Sequence, residues 1–170
     1  MIVSMGKNIF SKTDIQMMEE ALQEARMAFA QDEVPVGAVL VHEGEIIARA
    51  RNLVETAQNP SFHAELLCIQ EGARALNNWR LVGCALYTTL EPCLMCAGAL
   101  LLARVDRVVW GAPDIRHGAH GSYLNVFETQ HPTHTLQIEG GLLKEESAKL
   151  MKDFFKKQRT KNDSVARSAL

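Results

Sequence analysis

The residues of this chain best suited to chemistry are Cys93 and Cys96, two thiols three positions apart in the run Thr88–Cys96 (TTLEPCLMC). They follow Pro92, where a strand-like stretch, Cys84–Thr89, gives way to a helix-like one. Proline suits the first position of a helix, because its missing N–H would have no intrahelical partner there. A helix from Pro92 places both sulfurs in its first turn and a half, on neighbouring faces. The free N–H groups and positive dipole end of that turn favour thiolates, the form that binds metal. Alone, the pair reads as a redox couple, as half of a structural zinc site, or as two ligands of a catalytic zinc.

Residues upstream narrow the choice. His63-Ala64-Glu65 follows Asn59-Pro60-Ser61, and Asn59 or Ser61 can cap a helix running to about Leu76. His63, Cys93 and Cys96 together make three zinc ligands and leave the fourth tetrahedral position for water. Glu65 stands two residues from His63, about 200° around a regular helix, so the two converge only at an irregular first turn. H-x-E followed by P-C-x-x-C is the pattern of the zinc nucleobase deaminases, whose glutamate moves protons and does not bind the metal.

The elements that must position these groups follow from periodicity. Ile15, Met18, Leu22, Ala25 and Phe29 give an amphipathic helix over about Thr13–Gln31. Val36–His42 and Ile46–Arg51 alternate as strands around Glu43-Gly44, a short hairpin signal, and Asn52 ends the second of them. Leu66, Ile69, Ala73 and Leu76 line one face of the His63 helix, with Cys68 as a small buried residue; Cys84 also reads as core. The helix from Pro92 to about Ala103 carries no charge, which predicts burial on every side. Val105–Trp110 reads as a fourth strand, and Leu136–Glu139 as a fifth. Strand, helix, strand implies a parallel crossover beside the antiparallel hairpin, hence a mixed sheet with helices on both faces.

Gly111–Gln130 reads as a loop, and its length in a compact domain marks it as functional. His117 and His120 sit three apart, as do His131 and His134; a second metal site there is conceivable but not expected, since the loop carries no cysteine. In the last helix, about Leu142–Arg159, the residues Leu143, Ser147, Leu150, Met151 and Phe154 form one packed stripe. Lys149, Lys152 and Lys156 form a basic ridge opposite it, and Phe155 stands just off the stripe, where its ring could meet a base.

Composition bounds the rest. The chain has 170 residues, is 47% hydrophobic and fits one domain. Residues 1–12 read as an N-terminal arm, 13–159 as a single zinc deaminase domain and 160–170 as a disordered tail. No apolar run reaches the roughly 20 residues of a membrane span. The first residues lack the apolar stretch of a secretory signal, and four cysteines with this spacing do not suggest disulfides. The protein is therefore expected in the cytoplasm, without a membrane. Net charge is −2, yet the segment from Lys144 carries eight Lys/Arg against four Asp/Glu, which points to a polyanionic partner.

Glu33–Ala38 (EVPVGA), Arg51-Asn52, Asn59–Glu65, Thr88–Cys96 and Asp153–Lys157 together resemble the bacterial tRNA-specific adenosine deaminases, within the cytidine/deoxycytidylate deaminase superfamily. The resemblance runs from about Thr13 to Arg159; Pro113 departs from it, since many relatives carry a basic residue there. It implies the cytidine-deaminase-like fold, a three-layer α/β/α sandwich with a mixed five-stranded sheet. It also implies one Zn2+ per subunit on His63, Cys93 and Cys96, and a homodimer whose two subunits hold a tRNA anticodon arm. The product would be inosine at the wobble position. By the same resemblance Glu65 shuttles protons, Asn52 holds the flipped base, and Ala64 and Val36 shape the pocket. Lys152, Lys156 and Phe155 would then contact the RNA. The competing expectation is a deaminase of a free nucleobase, nucleoside or nucleotide, of guanine or deoxycytidylate type, which needs no basic terminal helix. A non-catalytic zinc module binding RNA would need a fourth protein ligand, and no other Cys or His has the spacing to supply one.

Overall fold

The structure, a computed structural model, describes residues 9–129 and 131–168, with the side chains of 163–168 left aside. Residues 1–8, most of the expected arm, lie outside it. The elements in order are α1 (Lys12–Ala30), β1 (Gly37–His42), β2 (Glu45–Arg51), α2 (Val54–Ala57) and α3 (Ala64–Ala75). They continue with β3 (Cys84–Leu90), α4 (Leu94–Leu102), β4 (Arg107–Ala112), β5 (Gln137–Gly140) and α5 (Lys144–Ser168).

One five-stranded sheet, in the order β2-β1-β3-β4-β5, carries the molecule. β1 pairs antiparallel with β2 and β3, while β3–β4 and β4–β5 are parallel, so the expected mixed sheet is present. The hairpin turns at Glu43 (φ 49°) and Gly44 (φ 84°), two left-handed residues whose twist suits a two-residue connection. Strand alternation then sorts the core into two layers. Leu40, Leu86 and Val108 pack with Ala64, Cys68 and Leu100 of α3 and α4. Val39, Val41, Tyr87 and Val109 point the other way, onto Met17, Met18 and Ala21 of α1 and Leu142 before α5.

A polar cluster ties the start of α1 to the sheet. Ser11 and Asp14 form a reciprocal capping box. Asp14 Oδ1 also accepts from Tyr87 Oη at 2.7 Å and Arg107 Nη1 at 2.6 Å, and Arg107 reaches on to Glu139. Burial pushes the Asp14 carboxyl up, but Arg107 and the Ser11 and Tyr87 donors outweigh it and hold the group well below its ordinary value.

Four expectations need correction. Neither Asn59 nor Ser61 caps α3: Asn59 Oδ1 accepts from Ser61 N at 3.0 Å in a local turn, and His63 takes the capping position with no side-chain bond. Pro92 is not the first helical residue either, because Cys93 is the cap and α4 begins at Leu94. α4 is not buried all round. As an outer-layer helix it turns only one face to the sheet, which leaves Leu94, Met95 and Leu102 exposed (53%, 40% and 68%). Finally, α5 runs past Arg159 to Ser168, so the backbone of residues 161–168 is helical where a disordered tail was expected, and residues 169–170 lie outside the described residues. No described helix is long and apolar enough to cross a membrane.

Candidate active site

Two helix beginnings meet at the C-terminal end of β3. His63 caps α3 and Cys93 caps α4, and Cys96 lies in the first turn of α4. His63 Nδ1 is 3.6 Å from Cys93 Sγ and 3.5 Å from Cys96 Sγ, and the sulfurs are 3.6 Å apart. Tetrahedral zinc, with Zn–S of about 2.3 Å and Zn–N of about 2.0–2.1 Å, requires N···S near ~3.6 Å and S···S near ~3.8 Å. The three donors fit one zinc ion, and among the described residues they are the group of three that could hold a metal.

The electrostatics bring one of the two thiols to its metal-binding form. Cys93 is drawn down to about 4, by the hydrogen bond from Cys96 first and by His63 as well, against the cost of burial. Cys96 is pushed up, chiefly because it is the partner that keeps the shared proton. His63 is raised by its bond to Cys93. Glu65, 3% exposed at the second position of α3, is raised by burial to about 7. A carboxyl poised there can both take and give a proton near neutral pH.

Beside the metal triad lies a cavity of about 720 Å³. Of the residues expected at the site, Val36, Asn52, His63, Glu65, Cys93 and Phe155 all line it. Ala64 and Cys96 are fully buried, and as the first residue of α3 Ala64 has an N–H without an intrahelical acceptor. Lys152 and Lys156 do not line this cavity. Lys156 borders a separate surface hollow of about 590 Å³ along α5. Lys149 of the expected ridge is paired with Asp153 at 2.5 Å, whereas Lys152 and Lys156 stand exposed. Among the described residues the histidine pairs join no group of three that could hold a metal: His120 Nδ1 accepts from Trp110 Nε1 at 3.0 Å, and His134 Nε2 lies 2.7 Å from the Val105 carbonyl. Cys68 is buried, with its thiol on the Ala38 carbonyl at 3.2 Å, and Cys84 is buried as expected.

Two carboxylates went unread in the sequence. Glu33, fully buried, accepts from Asn52 Nδ2 at 3.2 Å and from the Glu55 and Thr56 N–H groups at 3.2 and 2.6 Å. It thereby fixes the Asn52 amide, leaves its Oδ1 available to accept, and satisfies the first turn of α2. Glu91 lines the cavity and is likewise buried. The available signal was a lone acid in a stretch that otherwise reads as core: Glu33 just before the first strand, Glu91 directly before Pro92.

The comparisons agree with this geometry. Residues 11–112 match the family model described as the cytidine and deoxycytidylate deaminase zinc-binding region. The tRNA-specific adenosine deaminase of Bacillus subtilis (strain 168) is 46% identical over 89% of this chain and 94% of its own length. That of Aquifex aeolicus (strain VF5) is also 46% identical, over 91% and 97%. A structure from a study of A-to-I editing by tRNA:A34 deaminases at the wobble position of transfer RNA superposes with a TM-score of 0.76 at 43% identity, covering 79% of this chain and 98% of that one. A zinc-fitting His-Cys-Cys triad, a buried glutamate at its side and this shared sequence lead to one conclusion: the chain belongs to the tRNA-specific adenosine deaminases of the cytidine and deoxycytidylate deaminase family.

Proposed function

We propose that this protein hydrolytically deaminates adenosine to inosine at the wobble position of a tRNA anticodon loop. The observation that carries the reading is the opening of three groups onto one cavity of about 720 Å³: the metal triad through His63 and Cys93, the Glu65 carboxyl and the Asn52 amide. That volume suits a nucleoside. The curated relatives named for the same reaction support it along nearly the whole chain.

When bound on His63, Cys93 and Cys96, zinc makes water a nucleophile near neutral pH. Glu65 takes one proton from the water and delivers it to N1 of adenine so that C6 becomes electrophilic; once the oxygen has bonded to C6, Glu65 takes the second proton from that hydroxyl and gives it to the amine, which departs as ammonia as the C6–N bond breaks. Asn52, held by Glu33, orients the flipped base, while Val36 and the N–H of Ala64 border it. Phe155, 39% exposed on the cavity rim, meets a base or sugar. Lys152 and Lys156, farther along α5, hold phosphates of the anticodon arm. A second copy of the chain covers the exposed α4 residues Leu94, Met95 and Leu102, and the two copies hold the arm jointly in the cytoplasm.

Nucleoside mass spectrometry tests the substrate. Zinc-loaded protein is incubated with an anticodon stem-loop carrying a wobble adenosine, and separately with adenosine, guanine and cytidine. Inosine in the stem-loop is the expected product; faster exchange of an amine for oxygen on a free base would defeat the reading. Light scattering tests the assembly, with a dimer expected for the native chain and a monomer for Leu102→Glu.

A further inference from the structure

Glu91 follows β3, two residues before Cys93, and is 1% exposed. Among the described residues no lysine, arginine or histidine pairs with it, so hydrogen bonds alone must offset its burial. All four of those bonds come from one loop. Oε1 accepts from His120 N at 2.8 Å and Ser122 N at 3.2 Å; Oε2 accepts from Asp114 N at 3.1 Å and from Ser122 Oγ. A carboxylate offers about four lone-pair sites, so none is left for substrate or for carrying a proton. The loop also lies flat on the group: a Cβ at Gly118 would come within 2.4 Å of Glu91 Cδ. The same loop is stitched to the metal-bearing junction by Ala119 N to the Pro92 carbonyl at 2.9 Å and by a bridge between Gly118 and Cys93. Its outer turn, Asp114 to His117, walls the cavity.

The geometry points to Glu91 as a positioning residue for RNA: its buried carboxylate is the post around which the 114–122 loop is wound, so that Asp114, Arg116 and His117 meet the nucleotides beside the target adenosine. This rests on the tRNA reading above. The prediction is an effect on KM with kcat spared, since the loop donors occupy every lone pair of Glu91 and it is not one of the metal-ligating residues.

The test uses zinc-loaded protein and an adenosine-bearing anticodon stem-loop. Glu91→Gln keeps the shape but turns an NH2 group toward two of the four donors, and KM should rise about tenfold with kcat within about threefold and zinc unchanged. Ser122→Ala, which removes one bond and spares the buried group, should raise KM by about threefold and add little in the Glu91→Gln background. Tryptic cleavage after Arg116 should quicken in both. Unchanged KM and unchanged cleavage would overturn the assignment, as would loss of zinc or kcat at unchanged KM, which would make Glu91 scaffold of the metal centre. A native protein inert toward the stem-loop would overturn the substrate reading and the RNA contact with it. Faster cleavage in the variants would still separate that failure from a failure of Glu91 to hold the loop.

Discussion

His63 and Cys93 occupy the same structural position, the capping residue, of two different helices, and their ligand atoms lie 3.6 Å apart. Each cap has an extended backbone and no side-chain bond to its own helix. The side chains that would ordinarily satisfy helix N–H groups are turned outward to one another. The positive ends of both helices therefore face the metal's anionic ligands, and the thiolate charge is met on two sides.

The metal should depend on all three ligands. Cys93→Ser and Cys96→Ser should each lose zinc and activity together, from about one zinc per chain in the native protein. Elemental analysis beside a deamination assay reads both; full retention in both variants would remove the assignment.

Glu65 should separate from the ligands. Glu65→Ala should keep zinc and fold while deamination falls about 10²–10⁴-fold, the usual contribution of a positioned acid–base group. Loss of zinc in that variant would mean the roles are misassigned.

On α5, Lys152→Ala combined with Lys156→Ala should weaken stem-loop binding and lower the salt slope by about one to two phosphate contacts. Filter binding across a salt series measures this, with zinc content unchanged. An unaltered affinity would show that the RNA does not reach that side of the helix.

Asp14 should make stability pH-dependent in a known direction. Its carboxyl is held below the ordinary value of 3.8, so its contribution is fully present above that value and is lost as pH falls below it. Asp14→Asn should cost about 2–4 kcal/mol at pH 7, where Arg107 and Tyr87 lose a charged partner. The deficit relative to the native protein should shrink below about pH 4. Urea unfolding of the pair at pH 7 and pH 3 gives the comparison; an equal deficit at both would exclude the linkage.

Much of this was legible from local pattern. Alternation placed β1 and β2 within one residue, and the order His63, Glu65, Cys93, Cys96 brought the four groups together as expected. The misreadings share a cause. Capping rules favour Asn59 and Pro92, but tertiary demand for His63 and Cys93 at the helix mouths overrode them. Apolar content said that α4 avoids water without saying which face would have a neighbour. Glu33 and Glu91 were invisible because their partners lie 19 to 31 residues away in sequence. Likewise, Lys152 and Lys156 cluster by helical spacing, yet only packing decides where the cavity opens relative to them.

The burial of two of the four cysteines has a practical consequence. Cys68 and Cys84 are sealed in the core, so thiol-directed electrophiles can reach a cysteine only at the metal centre. There Cys93 is the half-buried thiolate and Cys96 the hidden thiol. An alkylating reagent thus becomes a gauge of occupancy: metal-loaded chains stay unlabelled, and each chain stripped by a chelator takes up one adduct, at Cys93. A mass spectrum of intact protein would report directly what fraction of a preparation can work.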